Sequence, residues 1–164
     1  MKNTFLLLIC LCSSQLFAQG NFAPADWKPL IGKTFNNENE VAVLKGFTSR
    51  GGSLLTNVDD EEKISSSLFS KGATVVLLFE KLLPNNQFTI LDLMEVKNVL
   101  KTQEIKVGDC SDGENNDSGI IALVNQTDQE RWKAIKAWHF NKDKIRIEPW
   151  SPQRVTCWGM VGDN

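Results

Sequence analysis

Short apolar runs separated by turn signals recur along the chain, and their length and period decide what each can form. Ala73–Leu83 holds Val75, Val76, Leu77, Leu78 and Phe79 without a polar break between Gly72 and Pro84, so it predicts a buried strand. Pro84-Asn85-Asn86 makes the following turn, and Phe88–Val96 returns as a second apolar strand. Thr102–Val107 alternates Ile105 and Val107 with polar neighbours, the pattern of a half-exposed strand. Gly119–Asn125 adds another strand after the polar loop Asp109–Ser118. A meander is the economical topology.

Upstream, Val41–Phe47 and Ser53–Thr56 flank Thr48-Ser49-Arg50-Gly51-Gly52, and this predicts a hairpin whose glycines take positive φ in the turn. Asp59-Asp60-Glu61-Glu62 then precedes Ile64, Leu68 and Phe69 at helical spacing. Asp59 and Glu62 have capping-box spacing and Gly72 is a stop, so one short helix is predicted over 59–70. The acidic run thereby has a local explanation, because negative charge favours a helix N-terminus.

The C-terminal third carries the most information. If Asn141–Lys144 closes a four-residue loop, Phe140 faces Ile145 and Trp138 faces Ile147, which gathers four apolar side chains on one face. His139, Arg146 and Glu148 then share the outward face. A competing helix over 128–138 rests on the Thr127/Glu130 spacing and on Trp132, Ile135 and Trp138 falling on one side. The strand reading is preferred over 132–140. The predicted fold class is α+β, mostly antiparallel β-sheet in meander and hairpins, with one short helix.

The first residues change the setting. Lys2, the apolar run Phe5–Leu11 and the small-residue end at Ala18 read as a secretory signal peptide over 1–18, leaving 19–164 as a single globular domain. The apolar run is shorter than the roughly 20 residues that span a bilayer, so no membrane span is expected. Without 1–18 the chain keeps 17 basic and 20 acidic residues and only two cysteines, Cys110 and Cys157. In an oxidising compartment two leftover thiols pair, and a disulfide is predicted. Lys outnumbers Arg 14 to 4 in the whole chain, which with the short leader points to a bacterial periplasmic or secreted protein.

Candidate chemistry is sparse. A single histidine excludes any two-His zinc site, HExxH included, and no GxSxG occurs. Gly32-Lys33-Thr34 lacks the upstream glycine of a phosphate loop, since Trp27 stands there. Asp109–Gly119 is rich in oxygen ligands, but counting from Asp112 puts Asp117 at the glycine position and Leu123 at the terminal glutamate position of an EF-hand, so a solvated turn is expected. The near-neutral balance disfavours nucleic acid, and no cofactor or metal is implied.

What remains is an uneven distribution of charge and tryptophan. Residues 131–154 carry seven basic and two acidic side chains, whereas 19–130 carry ten basic and seventeen acidic, and four of the five tryptophans fall at 132, 138, 150 and 158. Tryptophan and arginine dominate interface hot spots. His139, Arg146, Glu148 and Trp150 are therefore the candidate partner-binding residues of a non-enzymatic exported binding protein, an inhibitor or immunity-type partner of another extracytoplasmic protein. The alternatives are a small glycan hydrolase drawing on Glu80, Asp92, Glu95 or Glu148, or a glycan- or calcium-binding surface module.

Overall fold

A computed structural model describes residues 22–159 apart from 58 and 114. The leader expected over 1–18 lies outside these residues. Twelve strands are described: β1 (Thr34–Phe35), β2 (Thr48–Leu54), β3 (Lys63–Lys71), β4 (Thr74–Leu82), β5 (Phe88–Val96), β6 (Gln103–Val107), β7 (Cys110–Asp112), β8 (Asn115–Asn116), β9 (Ile120–Asn125), β10 (Arg131–Asn141), β11 (Arg146–Trp150) and β12 (Val155–Trp158). They form two antiparallel sheets, one in the order β1-β5-β4-β3-β2 and one in the order β6-β9-β10-β12-β7-β8, with β11 also on β10. β11 and β12 follow one another along the same edge of the long strand β10.

Three apolar layers alternate with the two sheets. Between the sheets lie Leu77, Phe79, Met94, Ile121, Leu123, Phe140 and Ile147, with Phe79 and Phe140 stacked 4.2 Å apart. The outer side of the first sheet buries Val76, Leu78, Ile90 and Leu93 beneath the N-terminal segment, where Trp27 is inserted. The outer side of the second buries Ile120, Ala122, Val124 and Trp132 with both cysteines. β4 and β9 thus contribute alternate residues to two layers, and this double burial is why each reads as an unbroken apolar run. Full burial of a side chain such as Phe79 or Phe140 contributes about 1.5–3 kcal/mol.

The disulfide is present: Cys110 on β7 and Cys157 on β12 face each other directly, with Cα atoms 4.0 Å apart. The predicted helix is not. Among the described residues the only helical pieces are 3-10 turns, at Lys28–Leu30, Glu38–Glu40, Ala42–Leu44 and Pro84–Asn86, so the α component of the predicted class falls away. Residues 63–71 form β3, hydrogen-bonded to β2 on one edge and β4 on the other. Ile64 and Leu68 are four apart, a spacing that satisfies period two as well as period 3.6, and both join the middle layer while Phe69 points to the outer one. The acidic run caps no helix; Asp60 accepts the Asn57 N–H and Glu62 pairs with Lys81.

The predicted 41–56 hairpin is also overturned. Val41 and Leu44 enter the outer core from 3-10 turns, and the expected turn is itself strand β2, paired with β3. Gly51, at φ 95°, sits at a bulge there. Gly52 lies so close to β3 that a Cβ would stand 2.1 Å from the Ser66 carbonyl oxygen.

In the C-terminal hairpin the register differs from the predicted one by two residues. Phe140 faces Ile147, His139 faces Glu148 and Asn141 faces Arg146. The loop is 142–145, closed by the Lys144 N–H on Asn141 Oδ1, and Ile145 lies in it, half exposed at φ 51°. A slip of two preserves which face each side chain occupies, so Trp138, Phe140 and Ile147 remain inward. The helical alternative for 128–138 is excluded by β10.

Candidate functional site

β10 shifts register between Ala134 and Lys136, so Trp132 and Ala134 share a side with Ala137 and His139. Beyond the outer core, that side of the β10–β11 hairpin carries His139 opposite Glu148, Ala137 opposite Trp150 and Asn141 opposite Arg146. All four predicted site residues therefore occupy one outward face.

His139 is fixed from two directions. Its Nε2 lies 2.9 Å from Asp117 Oδ2, while Asp117 Oδ1 accepts the Gly119 N–H at 2.8 Å. A Cβ on Gly119 would approach Nε2 to 2.9 Å, so glycine is what lets this loop close on the imidazole. On its other side the ring lies 5.0 Å from Trp150, tilted by 32°. Trp150 is 40% exposed and donates its indole N–H to Asp112 Oδ2 at 3.2 Å. Arg154 Nε stands 3.3 Å from Asp112 Oδ1, without hydrogen-bond geometry.

Glu148 anchors the basic half of the face. It accepts from Arg146 Nε at 2.8 Å, Lys144 Nζ at 3.0 Å and Asn141 Nδ2 at 3.1 Å. Hydrogen bonds from the Lys144 ammonium, then Arg146 and Asn141, hold its carboxyl down at about 2, so it is an anion throughout the physiological range. Its charge orients the Arg146 guanidinium, which stays half exposed.

Three of the carboxylates considered for hydrolysis, Glu80, Asp92 and Glu95, do not converge. Glu80 follows Val76 and Leu78 on the outer side of the first sheet, whereas Asp92 faces Phe79 in the middle layer. Glu95 faces Val76, four residues along β4 from Glu80 or on the order of 13 Å at strand rise, beyond the roughly 5–9.5 Å that glycosidic carboxylate pairs use. It pairs with Lys97 at 3.0 Å. Asp92 spends its oxygens on backbone, accepting the Leu93 N–H at 2.8 Å and, across the sandwich, the Ile147 N–H at 2.6 Å. Its carboxyl is raised by burial, opposed by those two N–H groups.

Glu80 is buried, takes one hydrogen bond from the Ser67 hydroxyl at 2.8 Å and leaves Oε1 without a partner. Burial pushes it up to about 7, assisted by the nearby negative charge of Glu38.

Two carboxylates of the oxygen-rich loop are engaged within the molecule. Asp112 serves Trp150 and Arg154, and Asp117 serves His139 and Gly119, while Glu114 lies outside the described residues. Among the described residues no group of three or more His, Cys, Asp or Glu is placed to hold a metal ion, and no helix is long and apolar enough to cross a membrane.

Sequence reasoning missed Asp112 and Asp117 as members of the outward face, because their Asp/Asn/Gly/Ser-rich stretch reads as a solvated turn. It also missed the pairing of Arg131 with Trp158, whose guanidinium carbon lies 3.4 Å from the ring centroid. The signal was the β10–β12 register, which no local pattern reveals. Comparison with protein-family models, curated proteins and solved structures finds no match, so the reading of this face rests on its own geometry.

Proposed function

We propose that this is an exported, non-enzymatic binding protein, an inhibitor or immunity-type partner of another extracytoplasmic protein, and that it engages its partner through the outward face of the β10–β11 hairpin. The observation that carries the reading is the half-exposed Trp150 ring held between His139 and Asp112, with a half-exposed Arg146 on the same face of β11, on the far side of Glu148. A pre-oriented aromatic and a guanidinium lose little freedom on binding, which is the recipe for an interface hot spot. The disulfide agrees with an oxidising compartment. Glu80 and Glu95 stand apart along the first sheet and Asp92 faces the opposite side of that sheet, so no pair among these three favours the hydrolase reading.

The test compares Arg146→Glu and Trp150→Ala with Trp138→Ala, using immobilised protein, extracytoplasmic extract and cross-linking mass spectrometry. The two face variants lose a cross-linked partner captured by the parent protein while their melting temperatures move little, since surface changes cost no more than about 0.5 kcal/mol. Trp138→Ala opens a cavity costing on the order of 3–5 kcal/mol and lowers the melting temperature instead. Capture that survives Arg146→Glu, or none at all alongside binding to a glycan panel, rejects the protein-partner reading.

A further inference from the structure

At the end of the sandwich where β2 to β4 meet β6, the two sheets do not close. A cleft of about 1000 Å3 opens between them, at the upper end of the roughly 300–1000 Å3 typical of small-molecule sites. Its floor is aliphatic: Leu68, Val75 and Val99 are only partly buried against the middle layer, and Ile105 of the opposite sheet lies beside them. Leu100, 60% exposed, stands at the mouth. The segment carrying it is fixed, with the Val99 N–H on the Ala73 carbonyl and the Leu100 N–H on Gln103 Oε1.

The rim is charged in one sense. Arg50 and Lys101 line the cleft, and among the described residues neither has an ion-pair partner. Among the described residues the one acid in the lining, Glu104, is already engaged by Lys106 at 3.7 Å and by the Gln126 amide at 3.0 Å. Arg50 is the extra residue of the β2 bulge, between Ser49 paired with Phe69 and Gly51 paired with Leu68. Bulges re-aim side chains, and the positive φ of Gly51 is what this one requires. Two uncompensated cations thus stand over an aliphatic trough. Among the described residues no aromatic ring lines it, so a planar sugar or base gains no stacking surface from them.

We infer that this cleft binds a single-chain amphiphilic carboxylate of the fatty-acid type, with its alkyl chain on Leu68, Val75, Val99 and Ile105 and its head group between Arg50 and Lys101. The site is separate from the hairpin face and independent of the function proposed for that face.

Calorimetric titration of the purified protein with dodecanoate, and with dodecyltrimethylammonium as the chain-matched cation, tests it below the micellar range of either. Dodecanoate gives a saturable isotherm in the roughly micromolar range, and the cation binds at least about tenfold more weakly. The double variant Arg50→Ala/Lys101→Ala weakens dodecanoate by about tenfold or more at unchanged melting temperature, and Val99→Trp, which fills the trough, blocks it. Should Val99→Trp fail to fold, the exposed double variant decides alone. The inference is overturned by no saturable heat up to about 1 mM dodecanoate, by equal binding of the two ions, or by full affinity in the double variant.

Discussion

Glu80 is the residue whose chemistry is most at odds with its surroundings, a carboxyl buried on the outer side of the first sheet with one oxygen unpartnered. Its carboxyl titrates near 7 in the fold against 4.5 when free, so between those values the folded chain holds a proton that the unfolded chain has released. Stability therefore falls as pH rises through that window, by on the order of 3 kcal/mol for this group. Asp92, also raised by burial, pushes in the same direction, whereas Glu148 stays ionised down to about 2 and contributes no slope there. Urea unfolding at pH 5 and pH 8.5 should show the parent protein less stable at the higher pH and Glu80→Gln with a markedly shallower dependence. An equal slope in both proteins would show that the carboxyl is not the titrating group.

Strands carry the next level of explanation, and their legibility depended on how many faces are buried. β4, β5 and β9 were readable because each is dense in apolar side chains, and β4 and β9 have no polar face that could mimic a helix. β3 was not readable: its serines and the even spacing of Ile64 and Leu68 fit either period, and only pairing with β2 and β4 on both edges decides. β2 was misread because Gly51 and Gly52 look like a turn, whereas one serves a bulge and the other a close strand approach. Gly52→Ala should accordingly lower stability by more than the roughly 1 kcal/mol of an average substitution, because its Cβ meets backbone that cannot yield. Gly72→Ala, with open space around it, bears only the strain of its φ of 59°. Thermal melts that rank the two the other way would refute the close-approach argument. Of the candidate site, the outward grouping of His139, Arg146 and Glu148 was legible because a register error of two leaves faces unchanged, while the Asp112 and Asp117 partners depend on a loop that sequence does not position.

For the molecule as a whole, the Cys110–Cys157 bridge joins adjacent strands beside the outer core of the second sheet and closes a span of 47 residues. Chain-entropy reasoning gives such a loop roughly 4 kcal/mol, so Cys110→Ser/Cys157→Ser should melt on the order of 10 °C lower. Intact mass with and without reductant before alkylation checks the bond itself, and thiols that label without reductant would contradict it. Composition and period were enough to indicate a β-rich chain, its buried central strands and the cysteine pair, because burial on both faces and the removal of every other cysteine with the expected leader are local or countable properties. Tertiary structure alone decided that 59–70 is no helix, that Glu80 and Asp92 lie on opposite faces of a sheet, that Arg50 is turned onto an open cleft, and that Trp150 rests on His139. Each of these depends on which strand lies beside which and in what register, a long-range pairing whose free energy is shared between residues far apart in the chain and so leaves no signature in any single stretch of it.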